Sequence, residues 1–216
     1  MKTSLEDRLQ ALRLIIETDI GASGLIFVTA ATAEDAPGSL ATSIAHAIAA
    51  EGRRTALLRL HASGQTDLEY KVARGRRPDV IPLQARGAGD GEPRVSTERR
   101  LLEMRTRYEY CIIDGGVGAT TSTALEAARL ADGVIIAVSL NRLAVATDLE
   151  LVPKLARINA RFIGAVAVDV PLLDEYVESL KTDGAWKHWI EASELEVVRE
   201  DVAGGRRDDA DKIASL

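Results

Sequence analysis

The sequence predicts an α/β fold, a three-layer α/β/α domain with a mostly parallel central sheet. Three observations carry this expectation. Apolar runs of strand length alternate with segments of helical periodicity, the order that builds parallel β-α-β units. The strands are apolar almost without interruption, as befits a sheet covered on both faces. Only 4% of the residues are aromatic while 46% are hydrophobic, so the core is aliphatic.

The elements follow in order. In "SLEDRLQALRLIIET", Leu5, Leu9, Leu12 and Ile16 recur at helical spacing, with Ser4 as N-cap and Asp7 three residues on. "GASG" breaks the chain at 21–24. "LIFVTA" is a buried strand, and "GSLATSIAHAIAAEG" an Ala-rich helix stopped by Gly52. "RTALLRL" is the next strand. Between 62 and 97 the signals thin: "DLEYKVARG" predicts a short helix, "DVIPL" a short strand and "QARGAGDGEPRVS" a loop. "TERRLLEMRTRY" is helical, "YEYCIIDGG" a strand, "TSTALEAARLA" a helix and "DGVIIAVSL" a strand. "VATDLELVPKLARIN" predicts a further helix, "RFIGAVAVDV" a last strand, and "DEYVESLK" and "GAWKHWIEASELEVVRE" helices. The expected organisation is an N-terminal helix over 1–20 available for oligomerisation, a domain over 21–190, and a helical then flexible tail over 191–216.

In such sheets ligands bind beyond the carboxyl ends of the strands. Those ends carry Ala31 to Gly38, Arg59 to His61, Asp114 to Gly118, Ser139 to Arg142 and Asp169 to Pro171. Other chemistries find less support. The net charge of −6 gives no global attraction for nucleic acid or anionic lipid. The basic clusters at 73–79 and 98–107 read as solvated surfaces. No run reaches the roughly 18 apolar residues of a membrane span, and "MKTSLEDRLQ" lacks a signal-peptide core, so the expected location is the cytoplasm. The single cysteine, Cys111, sits in an apolar run and reads as a core residue. His46, His61 and His188 have no metal-ligand spacing, so no metal is expected. Ser122 and Ser139 lack a base partner. Trp186 and Trp189 share a helical face; such a pair caps a core or docks a partner.

The order of the pieces resembles the deviant P-loop ATPases, the ParA/MinD-like group. Within it the chain is most similar to the cytoplasmic kinase domains of bacterial tyrosine kinases, which control exopolysaccharide and capsule chain length. The resemblance spans roughly 5–175. It rests on "VTAATAEDAPGSLATSIAHAIAAEGRRTALLRL", "YEYCIIDGG", "ALEAARLADGVIIAVSLN" and "IGAVAVDV", and implies a P-loop NTPase-like fold.

The same alignment implies a vestigial site. The family loop reads like K-P-G-E-G-K-S-T. Here Thr32, Ala33, Glu34, Asp35, Ala36, Pro37, Gly38 and Ser39 stand in its place. Pro37 falls on the lysine and removes a backbone donor. Glu34 adds negative charge near the phosphate position, while Asp35 falls where the family is already acidic. Arg59 and His61 replace a D-x-D pair that organises the metal. Asp114 retains the Walker B acid, followed by Gly115, Gly116 and Val117 where the family often has Thr-Pro-Pro. Val168 stands in the place of a base-reading asparagine. An Arg59–Asp114 salt bridge is expected to replace metal and nucleotide.

Neither ATP nor magnesium is therefore expected as a cofactor, and no catalytic residue is assigned. The family's tyrosine-rich tail is missing, since no tyrosine follows Tyr176. Its E-x-x-R-x-x-R ring pattern is partly matched, by Asp7, Gln10 and Arg13. The resemblance implies a pseudo-ATPase or pseudokinase that regulates exopolysaccharide polymerisation or export. Its partner would be a membrane-embedded chain-length (co-polymerase) protein at the inner-membrane face, with no direct insertion, alongside homo-oligomerisation. The alternatives are a ParA/MinD-like spatial organiser of pilus assembly or division, and a weakly active ATP-binding tyrosine-kinase-like enzyme.

Overall fold

The computed structural model describes residues 4–60, 77–82, 97–140 and 146–182. Among these, six strands form one sheet, and every pairing is parallel. The strands are β1 (Gly24–Ala30), β2 (Thr55–Arg59), β3 (Asp79–Pro82), β4 (Tyr110–Val117), β5 (Gly133–Ser139) and β6 (Phe162–Val168). Their spatial order is β3-β2-β4-β1-β5-β6. The helices are α1 (Leu5–Ile20), α2 (Pro37–Ala50), α3 (Thr97–Arg107), α4 (Ser122–Leu130), α5 (Ala146–Arg157) and α6 (Val170–Thr182). The predicted α/β/α layering is what forms. The helix expected at 67–75, the loop at 84–96, the helix at 184–200, His61, His188, Trp186, Trp189 and the tail at 191–216 lie outside the described residues.

Alternation along each strand sends side chains to opposite faces, and two cores result. On one face Ile26, Val28, Leu57, Ile112 and Ile135 pack with Leu40, Ile44 and Ile48 of α2, Ile16 of α1 and Leu173 of α6. On the other, Leu25, Phe27, Leu58, Ile113 and Val134 pack with Leu101 and Met104 of α3, Ala127 of α4, and Leu151 and Leu155 of α5. All seven residues of β1 are buried, which explains its almost wholly apolar sequence; the one hydroxyl, of Thr29, donates to Gly116 O at 2.8 Å.

α1 begins as the sequence indicates. The Ser4 hydroxyl accepts the Asp7 N–H at 3.1 Å, and the Asp7 carboxylate accepts the Ser4 N–H at 3.2 Å. The arginine of the partly matched ring pattern is engaged within the chain: Arg13 donates to Gln10 at 2.7 Å and to Glu17 at 2.8 Å. α2 is buried over most of its circumference, with Leu40 to Ala45 and Ala47 to Ala49 all covered. Small side chains let the sheet, α1 and α6 approach it together. Its buried hydroxyls turn back on the helix, Thr42 Oγ1 donating to Gly38 O at 2.7 Å and Ser43 Oγ to Ser39 O at 2.8 Å.

α6 starts at Val170, earlier than the sequence reading placed it. Leu173 N–H donates to Asp169 O at 3.0 Å, and Pro171 fits the first turn, where its missing N–H costs nothing. Cys111 is a core residue, as expected, and burial pushes its thiol up to about 12. A thiol reagent should therefore leave the native protein unlabelled at pH 8 and label it stoichiometrically in denaturant; fast native labelling would contradict the packing.

His46 on α2 makes a pH prediction. Burial, reinforced by the charge of Arg77, lowers its pKa to about 4 from 6.5. The depressed value means the neutral form is favoured on folding. Its stabilisation is complete above pH 6.5 and is lost as pH falls toward 4, amounting to about 2 kcal/mol at pH 5. Urea midpoints measured at pH 7.5 and pH 5 should fall less for His46→Gln than for the parent chain. An equal fall in both would remove His46 as the cause.

Candidate functional site

The β1–α2 junction is a turn of 3-10 helix over Ala33–Asp35, closed by Ala36 in the left-handed region (φ 46°, ψ 53°). Left-handed backbone costs a residue with a Cβ roughly 1 kcal/mol. Ala36 falls where the resemblance drawn from the sequence implies a glycine, and the turn forms here with an alanine. Pro37 is the first residue of α2. Its fixed φ suits that position, but it gives no N–H to the turn where the family carries lysine.

The two loop acids part company. Glu34 is exposed. Asp35 is fully buried, and its carboxylate works inward. Oδ2 accepts Thr32 N–H at 3.2 Å and Thr32 Oγ1 at 2.9 Å, while Oδ1 accepts Ser139 N–H at 2.8 Å from the end of β5. Asp35 thus ties the loop to itself and to the neighbouring strand. The sequence reading set Glu34 near a phosphate position and Asp35 where the family is already acidic, without giving Asp35 a structural part. The spacing Thr32-x-x-Asp35, a capping box, was the signal that separates them.

Asp114 stands in the carboxyl half of β4, register-paired with Arg59 at the end of β2, so the expected adjacency of these two residues holds. Asp114 Oδ1 accepts Gly116 N–H at 3.1 Å, and Oδ2 lies against the first turn of α2. A Cβ on residue 38 would sit 3.0 Å from that oxygen. Register brings the two residues to one face of the sheet, and the carboxylate also meets a backbone donor and the amino end of α2. That end is a favourable place for negative charge.

Gly38 falls where the resemblance implies a serine, and it brings no hydroxyl of its own to Asp114. Ser39, at the next position, donates to Asp174 Oδ1 of α6 at 2.7 Å. Val168 is buried in the core beneath α2 and α6. Beyond Asp114, Gly115 is forced by packing, because a Cβ there would come within 2.1 Å of the Phe27 ring. Gly116 and Gly118 have positive φ, Gly118 N–H donates to Ala30 O at 2.7 Å, and Lys154 Nζ of α5 donates to Gly118 O at 2.8 Å. The structure therefore gathers Glu34, Asp35, Pro37, Gly38, Ser39, Arg59 and Asp114 at one edge. Sequence reasoning missed Asp174 and Lys154, for which helical spacing offers no signal. No group of three or more possible metal ligands occurs among the described residues.

Comparison with solved structures fits this architecture. The kinase domain of Escherichia coli tyrosine kinase ETK superposes with a TM-score of 0.59 at 15% identity, over 76% of this chain and 75% of that one. The fold is that of the P-loop kinase domains. The VpsO kinase domain superposes with a TM-score of 0.54 at 18% identity, over 75% of this chain and 94% of that one. No family model matches the sequence, and no curated protein matches it. At these identities the likeness is one of fold. The sheet of six parallel strands, with helices on both faces, matches the α/β architecture of those domains. No described helix is long and apolar enough to cross a membrane.

Two outcomes test the geometry. Ala36→Gly relieves the left-handed alanine and should raise stability by about 0.5–1 kcal/mol in urea titration; a loss would show that the turn needs the Cβ. Gly38→Ser should lower stability by about 1–3 kcal/mol through contact with Asp114. Asp114→Gly should abolish most of that cost in a double-mutant cycle. Additive effects would separate the two residues.

Proposed function

We propose that this chain is a pseudo-ATPase, a non-catalytic relative of the tyrosine kinase domains whose fold it shares. It acts through protein contacts on a membrane chain-length protein that governs exopolysaccharide polymerisation or export. The observation that carries this reading is the start of α2. A phosphate cradle needs convergent backbone donors, a lysine and a hydroxyl for magnesium. Pro37 supplies neither donor nor charge at the lysine position, and Gly38 offers no hydroxyl. The remaining space beside Gly38 is shared with the Asp114 carboxylate.

Electrostatics point the same way. An ATP phosphate in the usual pose would meet Asp114 Oδ2 and exposed Glu34 without a lysine between them. At about 4 Å and an effective dielectric near 20, each like-charge contact costs several kcal/mol. The scaffold under the site is intact, since α2 is fully packed and Asp35 locks the loop. A folded scaffold with an unsuitable site fits a protein retained for its surface.

Isothermal titration with ATP and ADP, with and without magnesium, tests the reading. No binding up to millimolar nucleotide is expected, and no phosphotransfer. Micromolar affinity with turnover abolished by Asp114→Asn would replace it with a working enzyme of unusual pose. For the partner, pull-down from membrane extracts should retain a chain-length protein, and retention of pilus or division proteins alone would favour a spatial organiser.

A further inference from the structure

The two edges of the sheet are built differently. β3 is short and runs from Asp79 to Pro82, so a charge and a proline mark its ends. Natural sheets blunt their edges with such residues. β6 is seven residues long, reads FIGAVAV, and carries neither charge nor proline. Among the described residues no strand pairs with its outer side. Phe162 is 36% exposed, and Gly164, Ala165 and Ala167 are also exposed. The helices that enter and leave β6 add exposed apolar side chains, Val152 of α5 at 46% and Leu172 of α6 at 40%.

The chain's own connectivity argues against covering this edge with a further parallel strand. Every complete crossover that the structure describes obeys one hand. α3, α4 and α5 lie on one face and carry the chain toward β6, while α2 lies on the other and carries it toward β3. α6 shares the face of α2. A right-handed crossover through α6 would therefore lead back across the sheet, and a seventh parallel strand outside β6 would need the rare left-handed connection.

The flanking charges say what fits. Arg161 precedes the strand and Asp169 follows it, both exposed. In an antiparallel pair of two β6 strands centred on Ala165, residue 161 stands opposite residue 169, and residue 163 opposite 167. Each end then sets an arginine against an aspartate, with the apolar residues between them self-paired. Within one copy Arg161 donates to the Asp19 and Asp132 carbonyl oxygens, at 3.0 and 3.3 Å, on the β5 side of the strand, so pairing with the partner's Asp169 requires its side chain to swing to the outer edge.

We propose that two copies of this chain form a two-fold dimer by antiparallel pairing of β6 with β6, joining two six-stranded sheets into one. Such an interface is isologous and self-complementary, the commonest form of homodimer. Main-chain hydrogen bonds would hold it, and the paired ends would set its register. The proposal stands apart from the nucleotide question, because β6 pairs through its edge and not through the carboxyl-end loops.

Cross-linking of the full chain tests the register. Opposed Cα atoms in an antiparallel pair lie about 4.5–5.5 Å apart, within disulfide range. Ala165→Cys should form a covalent dimer under mild oxidation. Ala167→Cys should not, because its counterpart lies about 13 Å away along the strand. Buried Cys111 serves as the internal control in both. Light scattering should give the parent chain twice its 23.2 kDa mass, and Ala165→Lys a monomer with an unchanged thermal midpoint. Asp169→Arg should weaken the dimer about tenfold, and Arg161→Asp added to it should restore it. A parent chain that stays monomeric at every concentration overturns the proposal. So does a dimer that survives Ala165→Lys, or equal cross-linking at 165 and 167.

Discussion

The carboxyl edge of this domain depends on one close approach, that of the Asp114 carboxylate to the backbone of Gly38. β4 and α2 are each fixed by the core, β4 between two buried strands and α2 by near-complete burial. Neither can retreat to make room. The residue at 38 is therefore held small and the acid is held at the amino end of the helix, where the helix dipole favours it. Whatever else the edge does must fit around that contact. Pro37 fits because it begins a helix well, and Ser39 fits because its hydroxyl turns to Asp174 on α6.

Asp35 plays the complementary part. Buried acid is costly unless it is well supplied with donors, and this one receives two from Thr32 and one from Ser139. The arrangement spends the loop's acid on the loop's own shape. The retained outline of a phosphate-binding turn thus has a physical basis that needs no phosphate. It follows from an internal capping box, a left-handed Ala36 and the proline start of α2.

The fold was largely legible because its strands are buried on both faces. β1, β4 and β5 read as apolar runs, and the helices between them as periodic segments. Boundaries followed where a cap was local: Ser4 with Asp7 marked α1, and Gly52 the end of α2. The start of α6 was less clear, because Val168 to Val170 continue the strand's apolar pattern and only Pro171 hints at the first turn. At the site, residue positions were legible and side-chain directions were not. The sequence placed Arg59 and Asp114 side by side, and β-strand register does so. It could not foresee the Gly116 N–H and the end of α2 beside the same carboxylate. Nor could it foresee Ser39 meeting Asp174, residues 135 positions apart.

The near-complete burial of α2 has a further consequence, for how such a chain changes over generations. Its alanines, serine and threonine are packed between the sheet, α1 and α6, so almost any enlargement there meets neighbouring atoms. Glu34, outside the helix and exposed, meets no such barrier. Selection on folding and selection on ligand chemistry therefore fall on different stretches of the same β-α unit. A lineage can exchange one set of residues freely while the other stays nearly frozen. Substitution should accordingly be slower along the buried helix than at the exposed turn residue before it.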